Sequence, residues 1–313
     1  MSFRNRTDPE LQKMQRAKRI RALKKNLTGY LFIAPNFLGF LVFILIPVVF
    51  SLIVSFSDWN LFQGLGGIRF IGFRNFAAIL KDSTFIDSVK NNLLFTIGTI
   101  PVIMISALFI AVILNDKVYG KVAIRGMFFA PYISNIAAIS VIWMLLYNPM
   151  HGPLNQFLRS LGISNPPQWL ASTKWALPAL MILTIWMTIG YNCVLYMAGL
   201  QGIPKELYES SSIDGANAFQ KLWKITIPQL SPTTFFLLIT NLISSFQVFG
   251  PVNIMTQGGP ASSTSVISFY IYVSGMRYFK MGYAAAMAWF LMLGIFVVTL
   301  IQWHGQKKWV NYL

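Results

Sequence analysis

Six stretches of this 313-residue chain contain no Asp, Glu, Lys or Arg: 26–57, 91–115, 126–158, 175–204, 225–276 and 281–306. A helix needs about 20 mostly apolar residues to cross a bilayer, and each stretch is long enough for one. The stretch 225–276 could hold two spans, but Gly258, Gly259 and Pro260 break it. The remainder, ASSTSVISFYIYVSGM, is short and Ser-rich, and is expected to lie at the membrane surface. Six spans are expected, near 30–57, 91–114, 126–147, 175–199, 232–255 and 283–303. Pro35 and Pro47 in the first are tolerable because neighbouring helices can satisfy freed carbonyls. The small residues of GYAAAMA in the last permit close helix packing.

The charges that remain set the orientation. The net charge is +16, yet 55% of residues are apolar and only 11% charged, so the basic balance points to membrane topology and not to nucleic acid. With both termini inside, the segments 1–29, 115–125, 200–230 and 303–313 hold 17 of the 25 Lys and Arg residues. That asymmetry obeys the positive-inside rule. The expected fold is an all-α membrane protein with six transmembrane helices and cytoplasmic N- and C-termini. It comprises a basic tail (1–29) lying against anionic lipid, a six-span domain (30–303) and a cytoplasmic C-terminal tail (304–313). The apolar run after the basic tail is too long for a signal peptide and lacks a cleavage pattern.

One long polar segment, 203–232, lies between two apolar runs. Pro204 suits a first helical turn, and a short helix can run through Ile213. Gly215 then permits a sharp turn, Asp214 can cap a second helix, and that helix reads as Ala216 to Lys224, ending before Pro228. Helices this short are marginal alone, so the finger is expected to dock on another surface.

These residues carry a resemblance to the permease subunits of binding-protein-dependent ABC importers. The signature of that family is E-A-A, three residues, G, nine residues, then I-x-L-P. Here Glu209, Gly215, Ile225 and Pro228 match, while Ser210 and Ser211 replace Ala and Ile227 replaces Leu. Phe70, Gly72, Asn75 and Phe76 match an F-x-G-x-x-N-F found between the first two spans of sugar-importing permeases. The stretches SFQVFGPVNIMTQGGP and RYFKMGYAAAMAWFL are similar to the late spans of the carbohydrate, maltose-type branch. The resemblance implies that the segment 203–228 couples the chain to an ATPase through Glu209, Asp214, Gly215, Ala216 and Leu222. It implies a second permease, two ATP-binding subunits with their ATP and Mg, an extracellular solute-binding protein and a prokaryotic cytoplasmic membrane.

Within spans four and five, Tyr191, Asn192, Asn241, Ser244, Ser245 and Gln247 offer the neutral hydrogen bonding and aromatic surface that hold sugars. The competing reading is that such residues bond neighbouring helices. By the resemblance, Tyr191 matches a ligand-contacting Tyr, and Ser244 and Ser245 fall where those permeases carry other contacting residues. No P-loop motif occurs, so ATP hydrolysis is expected on partners, with no cofactor on this chain. His151 and His304 lie far apart, which argues against a metal centre or a Ser-His site. The lone cysteine, Cys193, has no disulfide partner in the chain. The apolar stretches contain no carboxylate, which weighs against an ion-coupled carrier. A membrane-bound enzyme is weakened by the lack of a nucleophile-base pair. Import of a glycerol phosphodiester or another non-sugar solute stays open beside a sugar.

Overall fold

The computed structural model describes Met14, Lys18 and residues 29–115 and 119–311. Apart from Met14, Lys18 and Gly29, the expected basic tail lies outside the described residues, as do 116–118 of the loop after the second span and Tyr312 and Leu313 of the C-terminal tail. The chain divides into two compact units, Met1–Val54 and Ser55–Leu313. In the first, the helix α1 (Gly29–Ser55) widens into a π-turn at Leu41–Leu45, just ahead of Pro47. Proline removes one i→i−4 bond and crowds the carbonyl four residues back, and a π-turn makes room for both.

The second unit opens with a ribbon of two-residue strands, β1 (Ser57–Asp58) and β2 (Arg69–Phe70), which with an isolated bridge between Asn60 and Lys280 departs from an all-helical chain. Its helices are α2 (Arg74–Ile79), α3 (Ser83–Asn115), α4 (Lys121–Ile133), α5 (Ile136–Leu146), α6 (Pro153–Ser160), α7 (Ala176–Gln201), α8 (Lys205–Ile213), α9 (Ala218–Lys221), α10 (Ser231–Phe246), α11 (Ile267–Tyr272) and α12 (Met281–Gly305). The F-x-G-x-x-N-F residues have a local role here. The Asn75 amide is buried and donates to the carbonyls of Ser55 and Ser57, both at 2.9 Å, which ties α2 to the ribbon.

Among the described residues, α1, α3, α7 and α12 are long and apolar enough to cross a membrane, and α4 with α5 makes a fifth if that pair counts as one span. This pair corrects the straight span expected over 126–147. It bends by 98° at Ser134 and Asn135, where Ser134 is extended and Asn135 caps α5 by accepting from the Ala137 N–H. The span expected over 232–255 is likewise interrupted, because α10 stops at Phe246 and a further helical turn forms only as the π-turn at Val252–Thr256. The break at Gly258–Pro260 stands where the sequence places it, since no helix covers those residues.

The Ser-rich piece 261–276, expected at the membrane surface, is largely packed inside the protein between other helices. Val266, Ile267, Phe269 and Val273 are buried, and α11 packs between two apolar clusters, one around Leu180 and Phe95, the other around Met287 and Ile79. Polar side chains on one face of α3 hold it there. Ser88 bonds the Ser265 hydroxyl at 2.9 Å, Asn91 donates to the carbonyls of Ser262 and Ser265, and Asn92 accepts from the Ile267 N–H. A serine-rich sequence looks soluble only until its hydroxyls and carbonyls find partners.

Asp82 ties the N-terminal ends of these helices together. One carboxylate oxygen accepts from the N–H groups of Thr84 and Phe85 and so caps α3, while the other takes the hydroxyls of Tyr270 at 2.6 Å and Tyr283 at 2.7 Å. Burial pushes its pKa up, but these four hydrogen bonds outweigh burial and hold the carboxyl below its ordinary value. The charge therefore stabilises the fold above about pH 4, the unfolded value, and that contribution is lost as pH falls through the lowered value. Asp82→Asn is expected to lower the melting temperature of the purified protein at pH 7, with the gap to the parent narrowing below about pH 4. An equal gap at both pH values would show that the carboxylate charge contributes nothing.

Candidate functional site

The finger between α7 and α10 is built as two short legs. Pro204 precedes α8 and acts as its N-cap, one position earlier than the sequence suggests. The leg ends in paired hydrogen bonds, Gly215 N–H to Ser212 carbonyl and Ala216 N–H to Ser211 carbonyl, with Gly215 at φ +76°. This is the Schellman arrangement, which needs the left-handed conformation that glycine adopts without strain. Asp214 does not cap the second leg: it closes the first, and Asn217 caps α9 in a reciprocal box with Gln220 at 2.9 Å in each direction.

The second leg also differs from the helix expected over Ala216 to Lys224. It begins at Ala218, passes through a π-turn at Leu222–Thr226 and continues past Pro228 to Gln229. The π-turn just ahead of Pro228 repeats the device seen ahead of Pro47. Lys221 donates to the Ser212 hydroxyl at 2.7 Å and Tyr208 bonds Thr226 at 2.9 Å, so the legs are cross-linked. Leu207, Tyr208 and Ile225 root the finger in a cluster that includes Leu114, Tyr196 and Leu200. Glu209, Asp214 and Gly215 are exposed, and Ala216 and Leu222 are half-buried. Three large apolar residues that the sequence motif does not single out are exposed on the same finger: Ile213 (87%), Phe219 (69%) and Trp223 (57%), the last two in ring contact.

The intramembrane candidates separate into two groups. Asn192 on α7 and Asn241 on α10 are buried and exchange amide hydrogen bonds, at 2.6 and 3.3 Å, and each also donates to a carbonyl of its own helix. Ser245 is buried, bonds Thr96 at 2.9 Å and presents its carbonyl to Asn92. These three residues join helices. Ser244 and Gln247 are exposed and Tyr191 is half-buried.

Tyr191 is stacked on Tyr132 of α4, with ring centroids 4.4 Å apart and planes 15° from parallel. The close approach of the two helices comes from Gly190, where a Cβ would collide with the Phe128 carbonyl. Tyr132 lies two residues before the α4–α5 bend and is absent from the residues that sequence reasoning selects. Pro131, Ser134 and Asn135 are the breaker residues that could have flagged it.

Four helices long and apolar enough to cross a bilayer mark an integral membrane protein. The family model for the binding-protein-dependent transport system inner membrane component matches residues 70–309, and this chain belongs to that family. It is 36% identical over 303 residues to the probable ABC transporter permease protein YesP of Bacillus subtilis, covering 96% of each chain. It is 34% identical over 284 residues to the sn-glycerol-3-phosphate transport system permease protein UgpA of Agrobacterium fabrum, covering 90% of this chain and 96% of the relative. The arabinooligosaccharides transport system permease protein AraP of Bacillus subtilis is 34% identical over 280 residues, covering 88% of each. The fold is similar to a chain of a bacterial ABC transporter for import of the acidic polysaccharide alginate, with a TM-score of 0.82 at 23% identity over 94% of this chain and all of that one. The family is a transport subunit of the inner membrane, not an enzyme.

The Asn192–Asn241 joint can be tested alone. Asn192→Leu strands the Asn241 amide in a buried site and is expected to destabilise the purified protein by roughly 1–3 kcal/mol. The double change Asn192→Leu with Asn241→Leu should recover part of that loss in a thermal-unfolding double-mutant cycle. Additive losses would mean that the two amides do not act as a pair.

Proposed function

We propose that this chain is one of two permease subunits of an ATP-driven importer that moves a sugar or oligosaccharide across the cytoplasmic membrane of a prokaryote by alternating access. Six spans are read as the four long helices, the bent α4–α5 pair, and α10 extended by the turn after it. The Lys and Arg distribution puts both termini and the finger in the cytoplasm. A second permease, two ATP-binding subunits carrying ATP and Mg, and an extracellular solute-binding protein complete the assembly.

The carrying observation is the Tyr132–Tyr191 stack, its Tyr132 exposed and its Tyr191 half-buried, with Ser244 and Gln247 among the exposed residues of the next helix region. Aromatic faces and uncharged hydrogen-bonding groups suit a saccharide. The relative AraP is named for arabinooligosaccharide transport, which supports the same class. A second reading, a phosphate-bearing glycerol derivative, is favoured by the likeness to UgpA. Tyr191, Ser244 and Gln247 supply no cation for a phosphate, so the saccharide reading is preferred.

The deciding experiment is ATPase stimulation of the reconstituted complex over a panel of saccharides and glycerol phosphates. Tyr191→Ala is expected to weaken stimulation by the active sugar about tenfold or more, with assembly and basal ATPase unchanged. Full stimulation in that variant, or response to glycerol phosphates alone, would overturn the saccharide site.

At the finger, Ile213, Phe219 and Trp223 are read as apolar anchors on an ATPase subunit and Glu209 as a charge meeting a basic partner. A Cβ at Gly215 would meet nothing within 4 Å, so substitution there strains only the backbone. Gly215→Val should cost about 1–3 kcal/mol in local strain and abolish transport while insertion persists, whereas Gly215→Asn, which tolerates positive φ, should retain most activity. Normal import by Gly215→Val would remove the finger from the coupling path.

A further inference from the structure

At the far end of the second unit from the finger, a groove of about 820 Å³ opens between the first loop and the segment from α11 to α12. The helix α3 measures the separation. Its C-terminal residues Ala111 and Leu114 pack at the finger root, and its N-terminal cap Asp82 lines the groove. Thirty-three residues at 1.5 Å each put about 50 Å between them. The first turns of α3, STFIDSVKNN, are polar, and a hydrocarbon core is only about 30 Å thick, so the groove lies in the aqueous boundary beyond it.

The lining has two kinds of residue. Trp59, Tyr270 and Tyr283 have their polar tips engaged, the indole N–H on the Gly64 carbonyl at 2.8 Å and both hydroxyls on Asp82, which fixes three aromatic rings in place. Around them the side chains of Asp58, Gln63, Lys81, Tyr278 and Lys280 make no hydrogen bond or ion pair among the described residues. They supply acceptors, donors and a group that is both, as a polyol requires. The two carboxylates and two ammonium groups of the lining balance, so nothing selects for a charged ligand.

We propose that this groove is a second saccharide site, a vestibule that receives a neutral oligosaccharide before it reaches the Tyr132–Tyr191 region. The proposal rests on the saccharide reading of that region. Prefixed rings lose little freedom when a sugar face stacks on them, and the exposed polar groups can exchange water for sugar hydroxyls.

The test is saturation-transfer NMR on the complex in nanodiscs, with maltotriose, raffinose and arabinotriose as probes. Tyr278 is 60% exposed and Gln63 is exposed, so Tyr278→Ala and Gln63→Ala should fold normally. With the solute-binding protein omitted, transfer to at least one probe is expected to survive in Tyr191→Ala, and adding Tyr278→Ala or Gln63→Ala to that variant should weaken it at least tenfold. Transfer to none of the three, transfer lost in Tyr191→Ala, or transfer unchanged when either groove change is added to it would overturn the vestibule. Because ATPase stimulation by a sugar is measured separately, the vestibule can fail while the import reading stands.

Discussion

One helix bears the rest of the second unit. At 33 residues α3 is longer than a hydrocarbon core is thick, and it carries a file of small and amide-bearing polar side chains along a face that turns inward. Between helices in lipid, apolar contact has no hydrophobic advantage over contact with acyl chains, so orientation is decided by close packing and by hydrogen bonds. Ser88, Asn91 and Asn92 fasten the α11 region, and Asn92 and Thr96 fasten α10 through Ser245. Asp82 adds an ionised acceptor at the capped end. These bonds, with close packing, choose one register over another.

The same economy explains why the intramembrane candidates divide as they do. A neutral amide suits a sugar hydroxyl and an opposing amide equally well, and Asn192 and Asn241 bond each other. Tyr191, half-buried on α7, takes no part in that joint. Its stacking partner arrives from α4 because Gly190 lets the two backbones come together. The α4–α5 bend comes close behind, so the aromatic pair stands beside a break in regular helix. Such breaks are tolerated at membrane depth only where protein or water satisfies the freed backbone.

The finger shows the opposite balance, with local chemistry dominating. A Schellman turn at Gly215, a capping box at Asn217 and a π-turn ahead of Pro228 are all specified within a few residues. Its root is apolar and its legs are cross-linked, so the two short helices stand as one body. The exposed Ile213, Phe219 and Trp223 are the costly part of that arrangement in water, which is why the proposed coupling is placed on them.

Spans, breaks and turns are therefore legible along the chain. Four of the six charge-free stretches locate long helices, Gly258–Pro260 marks a break, and Gly215 locates the turn, because each is an effect of neighbours in sequence on the same backbone. Sequence alone could not assign which polar residue meets which. The Asn192–Asn241 joint spans 49 positions and the Asp82 clamp on Tyr270 and Tyr283 spans 188 and 201. The direction of a kink after Tyr132 belongs to the same class. Those pairings are chosen only when whole helices pack, since an unpaired polar group in an apolar interior is costly and any nearby partner can relieve it. Tertiary structure decided which of the candidate residues bond a neighbouring helix and which do not.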